Sequence, residues 1–271
     1  MGVNTKIIKR RLKSIGSTKK ITKAMEMVAA AKMRKAVNAA LDTRTYATLA
    51  WNLLVNLSQS QTALIPLLEI RPVQKILMII ITSNRGLCGS FNSNIIKKMP
   101  ILLRQNRASA ISTDVEIGTA PKMDVIGIGK KGADFAKKMG YNLVASFTSM
   151  TDTPGLDDAL PISKMVIDAY TKKTYDKVVV AYTDFKSTLS QVAKLKQVLP
   201  ISKIDLEEIL SGLDDLTPSP VRRGQGEVSP KVELDDYLFE PNKQSVLEIV
   251  LPRLVETQIY QVMLESAASE H

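Results

Sequence analysis

At 271 residues, with 45% hydrophobic and 24% charged side chains, the chain is long enough for one or two domains with a real core. A single cysteine, Cys88, excludes an intrachain disulfide and a cysteine-based zinc site, and a single histidine, His271, excludes most histidine-ligated metal sites. The net charge of +10 belongs to one stretch: residues 1–57 hold twelve of the 37 Lys and Arg but only two acids, Glu26 and Asp42, and the remaining 25 basic residues face 25 acidic ones.

That stretch, Met1 to Leu57, contains no proline and only Gly2 and Gly16 as glycines. Apolar residues recur three or four apart at Ile8, Leu12, Ile15, Ile21, Met25, Val28, Met33, Val37, Leu41, Leu49, Leu53 and Leu57, which predicts one long helix with an apolar stripe. Such a helix is about 80 Å long at 1.5 Å per residue. No compact core of this size covers it, so a second helix must wind along it, from this chain or a partner. Lys6, Lys9, Arg10, Arg11, Lys13, Lys19, Lys20 and Lys23 point to several faces. Their expected readout is an acidic protein surface, nucleic acid or lipid headgroups. Beside them, Ala24 to Met33 combines alanines, which allow close backbone approach, with adaptable methionines. The same composition suits a plain coiled-coil seam.

After a polar linker over 58–72 the period changes. Lys75 to Thr82 reads as a buried parallel strand, followed by a tight turn, Ser83 to Asn92, and a helix to about Leu103. Asp124–Ile128 is expected as strand, Lys130–Met139 as helix, Asn142–Phe147 as strand, Pro161–Thr174 as helix and Lys177–Thr183 as strand. This alternation predicts a Rossmann-like open α/β sheet over 73–240. Within it, 201–230 carries Glu207, Glu208, Asp214, Asp215, a Thr217–Pro220 turn and Arg222–Arg223, and is expected to be flexible. Lys231–Phe239 alternates as an edge strand would.

Gly127, Gly129 and Gly132 form a GxGxxG between strand and helix, the setting of a dinucleotide-binding turn. The acid that would hold a ribose, about twenty residues on, is missing: Ser146, Phe147 and Thr148 stand there. Tight-turn glycines are therefore the expectation, and no cofactor. Cys88 is expected as a buried structural thiol, because its only possible histidine partner is His271 at the far end of the chain. No carboxylate pair stands at acid/base spacing. No apolar run is long enough for a bilayer span, and the first residues lack a secretory apolar core.

Residues 241–271 return to helical period at Leu247, Val250, Leu251, Leu254, Val255, Gln258, Ile259, Val262 and Met263, with Pro252 expected to bend or restart the helix. This is the missing partner for the N-terminal helix, and the two are expected to form an antiparallel coiled coil outside the sheet domain.

The segments Arg11–Ile15, Thr18–Arg34, Ser83–Gly89 with Asn92, Gln258–Tyr260 and Glu265–His271 together resemble the gamma subunit of the F-type ATP synthase, in order and over the whole chain. The resemblance implies a non-catalytic rotor whose terminal helices form an axle inside three alpha and three beta subunits. Its sheet domain would lie near the epsilon subunit and the membrane c-ring, peripheral to the cell membrane on the cytoplasmic side. Lys19, Lys20, Lys23, Met25, Glu26, Met27, Lys32, Arg34, Glu265 and Ser269 would meet the alpha/beta hexamer, with Lys23 and Met25 facing the acidic helix-turn-helix lever of beta. Glu207, Glu208, Arg222 and Arg223 would face the rotor ring. The family also implies further helical turns after His271. Chloroplast members carry a two-cysteine insertion that is missing here, so a bacterial type is expected. A nucleic-acid-binding helix is disfavoured by the lack of aromatic platforms and by the neutral domain attached to it.

Overall fold

The computed structural model describes residues 5–58, 65–99, 121–149, 151, 153–201 and 243–271, with side chains from 5–43 and from 244 onward in the two terminal helices. Helix α1 runs Thr5–Ser58 and is followed by a short 3₁₀ turn at Pro66–Leu68. Next come β1 (Lys75–Ile81), helix α2 over residues 91–99, β2 (Lys122–Ile128), α3 (Lys130–Lys138), β3 (Asn142–Phe147) and α4 (Leu156–Thr171). The described chain closes with β4 (Lys177–Phe185), β5 (Gln191–Leu199) and α5 (Lys243–Glu270).

The strand order is β3-β2-β1-β4-β5. The first four strands run parallel, and β5 returns antiparallel beside β4. The architecture is thus an α/β, Rossmann-like mixed sheet between long N- and C-terminal helices that pack together. Side chains alternate across β1. Leu77, Ile79 and Ile81 face a core shared with Ala159, Ile162, Val166 and Tyr170 of α4 and with Leu251, Leu254, Val255, Ile259 and Val262 of α5. Ile76, Met78 and Ile80 face the opposite layer, with Phe91, Ile95 and Met99 of α2 and Ala136 of α3. Burial on both faces is why β1 is an unbroken apolar run.

The role of α5 differs from the expectation of a shaft standing clear of the sheet. It packs against α1 and also roofs one face of the sheet, and its apolar residues are continuous with the main core. An apolar surface on most sides of α5 makes this possible: Leu251, Leu254, Val255 and Ile259 are all buried, and the helix runs unbroken through Pro252. Its packing on α1 is antiparallel. Ala36 joins Ala267 and Ala268 in one cluster, while Asp42, further along α1, lies within electrostatic range of Tyr260, earlier on α5.

Two local boundaries also depart from expectation. Helix α4 begins at Leu156, before Pro161, because Asp158 reaches back to accept from the Gly155 N–H at 2.9 Å and closes the first turn. Proline is tolerated there on the exposed side of the helix. Strand β5 was not expected, since Lys194, Lys196 and Gln197 interrupt its apolar pattern. It forms because the Lys186–Ser190 turn folds it back onto β4. The expected edge strand 231–239 and, beyond Ile201, the expected flexible segment 201–230 lie outside the described residues, as does the end of the helix expected to reach Leu103.

Candidate functional site

The first candidate is the N-terminal half of α1. Residues 5–28 are exposed, and the buried contact between α1 and the end of α5 centres on Ala36, with Met33 and Val37 beside it. Ile8, Leu12, Ile15, Ile21, Met25, Met27 and Val28 all stand in solvent, Leu12 at 64% and Met27 at 65% of full exposure. Exposed apolar side chains interleaved with cations make this half of the helix a candidate contact surface. Lys19, Lys20, Lys23, Met25, Glu26 and Met27 all lie on it. Lys23 donates to Glu26 at 2.8 Å, but both side chains are about two-thirds exposed, so the pair stabilises little. Arg34 is exposed and Lys32 half-buried at the level where α5 ends. Thr18 and Thr22 turn their hydroxyls back to the carbonyls of Ser14 and Thr18, which keeps the helix self-contained.

Glu265 and Ser269, grouped with those residues by the resemblance, are turned inward within the single chain. Glu265 is buried at 8% exposure, and the Ser269 hydroxyl donates to the Thr183 carbonyl at 3.3 Å. Glu207, Glu208, Arg222 and Arg223 lie outside the described residues.

The second candidate is the crevice at the carboxyl ends of β1 and β2, where an open parallel sheet places its ligands. Here the chain fills that crevice with its own groups. The three leading amides of α3 are all occupied: the Lys130 N–H donates to Asn84 Oδ1 at 3.1 Å, Lys131 to the Ser83 carbonyl at 3.2 Å and Gly132 to Thr82 Oγ1 at 2.7 Å. These are the donors that a bound phosphate would require. The glycines make room for the intruding segment. Gly129 holds a φ of 87°, and a Cβ there would lie 1.9 Å from the Thr82 carbonyl oxygen. The GxGxxG is therefore a seat for residues 82–84, consistent with tight-turn glycines.

The turn that supplies this plug is itself braced. The Ser83 N–H donates to Asn92 Oδ1 at 3.0 Å, the Asn92 amide donates to Ser83 Oγ at 2.7 Å and to Cys88 Sγ at 3.1 Å, and Ser83 Oγ–H donates to the Arg85 carbonyl at 2.6 Å. Cys88 is half-buried, less enclosed than expected, and serves as an acceptor in this brace. The plugging role of Thr82 and Asn84 could not be found from spacing, since a glycine turn reads alike whether it seats a phosphate or a neighbouring loop. On the far side, Met263, Ser266, Ala267 and Glu270 of α5 close the crevice, leaving a cavity of about 70 Å³.

At the opposite end of the strands, Asp124 accepts from the Tyr175 hydroxyl at 2.7 Å and from the Asn142 amide at 3.0 Å. Burial, followed by this carboxylate partner, pushes the Tyr175 phenol up to about 12. These contacts join β2, β3 and the start of β4. Among the described residues, no cluster of three His, Cys, Asp or Glu could hold a metal ion, and no helix is long and apolar enough to cross a membrane.

Residues 4–271 match the protein family described as ATP synthase. The chain is 35% identical over 270 residues to the ATP synthase gamma chain of Dehalococcoides mccartyi strain CBDB1, covering 98% of this chain and 82% of that one. It is 37% identical over 271 residues to the ATP synthase gamma chain of Roseiflexus castenholzii, covering 99% and 82%. Its fold is similar to a chain of the Tetrahymena thermophila mitochondrial ATP synthase central stalk and c-ring, with a TM-score of 0.59 at 23% identity over 92% of this chain and 94% of that one. A chain of the Euglena gracilis mitochondrial ATP synthase rotor aligns with a TM-score of 0.53 at 18% identity over 98% and 86%. An exposed basic shaft, a sheet whose ligand crevice is internally plugged and similarity along the whole length agree: the chain belongs to the ATP synthase gamma-chain family.

Proposed function

We propose that this chain is the central-stalk rotor of a proton-translocating ATP synthase of bacterial type, transmitting rotation between a membrane c-ring and a catalytic hexamer of three alpha and three beta subunits. It would contribute no catalytic group and bind no cofactor, and it would sit peripherally on the cytoplasmic side of the cell membrane. The observation that carries the reading is the match to the ATP synthase gamma-chain family along the whole of this chain, with its excess cations concentrated on α1. Eight cations over Lys6–Lys23 fit an acidic surface lining the hexamer. Lys19, Lys20, Lys23, Met25, Glu26, Met27, Lys32 and Arg34 are the proposed contacts with the hexamer. Segment 201–230, with Glu207, Glu208, Arg222 and Arg223, is the proposed foot toward epsilon and the c-ring. The single cysteine supports a type without dithiol regulation.

The test is reconstitution of the chain with alpha and beta subunits of a relative, followed by native mass measurement. A 3:3:1 species is expected, and it should be lost when residues 1–28 are deleted. An alpha/beta hexamer that forms but leaves this chain free would overturn the proposal.

A further inference from the structure

The seam between the end of α5 and the β4–β5 hairpin holds a buried charge cluster that the rotor reading does not use. Strand β4 outruns β1: its last partner there is Ala181, opposite Ile80. Beyond that point the open edge of β4 is taken by hydroxyls of α5. The Thr183 N–H donates to Ser266 Oγ at 3.2 Å, and the Ser269 hydroxyl donates to the Thr183 carbonyl at 3.3 Å. Glu265, adjacent to Ser266, faces this seam at 8% exposure. From α5 it faces Gln261, whose amide donates to Glu265 Oε1 at 3.1 Å. Within electrostatic range lie Asp184 of β4, a second carboxylate at 6% exposure next to Thr183, and Lys194 and Lys196 of β5. Lys194 is committed to Asp184 at 2.8 Å. On its other side α5 is backed by Met33, Ala36 and Val37 of α1.

Two buried carboxylates thus share one seam, and the cation bonded to Asp184 is one-third exposed on an edge strand. We propose that Glu265 is a proton-operated latch between shaft and sheet domain: when it gains a proton residues 262–270 of α5 close onto the β4–β5 hairpin, and when it loses the proton this contact loosens. The inference goes beyond the rotor assignment and does not rest on it.

The direction follows from the environment. Burial pushes the Glu265 carboxyl up to about 7, with Lys196 opposing and Asp184 reinforcing the rise. When the seam opens, the group returns toward its ordinary value of 4.5. The closed form therefore binds the proton more tightly. Its advantage is complete below the ordinary value and is lost as pH rises through about 7.

The full chain can be tested by amide hydrogen exchange at pH 5 and pH 8, corrected for intrinsic rates, together with a carbon-13 titration of the Glu265 carboxyl assigned through Ser266. Protection over 262–270 and 183–194 is expected to fall at least about tenfold from pH 5 to pH 8. Glu265→Gln should hold the seam closed at both pH values. Asp184→Asn should shift the transition to lower pH. If Glu265 titrates at its ordinary value, or if Glu265→Gln leaves the pH dependence intact, the latch is overturned. Should Glu265→Gln fail to fold, the titration of the unmodified chain decides alone.

Discussion

Gly129 shows how little freedom a single position has in this fold. Its φ of 87° is in the left-handed region, and its missing side chain is the space occupied by the Thr82 carbonyl. Gly129→Ala combines backbone strain with a clash against main chain, so a loss of at least about 1–3 kcal/mol is expected. Urea denaturation checks this, and an unchanged midpoint would show that residues 82–84 do not seat against the turn. Residues on the exposed shaft have the opposite character. Lys23 loses only a solvent-screened pair with Glu26, worth about 0.2–1 kcal/mol, when replaced by Ala. Met25→Lys instead puts a new cation into a surface proposed to contact the hexamer, where it must be desolvated or bind an acidic partner too well. Protons pumped per ATP hydrolysed in the reconstituted complex should therefore fall little for Lys23→Ala and clearly for Met25→Lys. The reverse order would replace distributed contact by one specific Lys23 bridge.

Among the elements, α5 differs most from its sequence reading, and the difference has measurable consequences. Leu254 is 1% exposed and shared between α5 and the sheet core, so Leu254→Ala should cost about 2–5 kcal/mol in the free chain. Leu12, equally apolar but 64% exposed on α1, should change stability by no more than about 0.5 kcal/mol on the same substitution. Equal effects in a denaturation series would mean that both helices pack only on each other. The helix period of α5 was legible, but the period of an amphipathic helix names one buried stripe and not the body that buries it. With Leu251, Leu254, Val255, Ile259 and Val262 all inside, the pattern fits a coiled coil and a sheet roof equally well. The parallel strands were legible because two-sided burial forces unbroken runs such as Ile76–Ile81. Strand β5 was not, because an edge strand tolerates Lys194 and Lys196 where a central one would not. The concentration of the net charge on α1 was readable from composition alone. The inward turn of Glu265 was hidden, because it depends on α5 resting on β4.

For the whole molecule, sharing α5 between shaft and sheet makes the two parts one cooperative unit. If the helices formed an independent coiled coil, the sheet domain would keep its structure while the shaft melted, and the chain would show two transitions. In the observed arrangement, unfolding α5 strips Leu77, Ile79, Val178 and Val180 of the cover that α5 shares with α4 on one face of the sheet. A parallel sheet depends on cover over both faces, so losing the α5 share of it should make both parts unfold together. The chain carries its own reporters: Trp51, the single tryptophan, lies in α1, while Tyr170, Tyr175 and Tyr182 are buried in the sheet domain. Tryptophan fluorescence, tyrosine near-ultraviolet dichroism and far-ultraviolet dichroism, followed through one denaturant titration, are expected to give coincident midpoints. Leu254→Ala should shift all three together. A tryptophan transition that precedes the tyrosine transition would show that the terminal helices melt independently, and the common core between α5 and the sheet would then not hold the two parts as one unit.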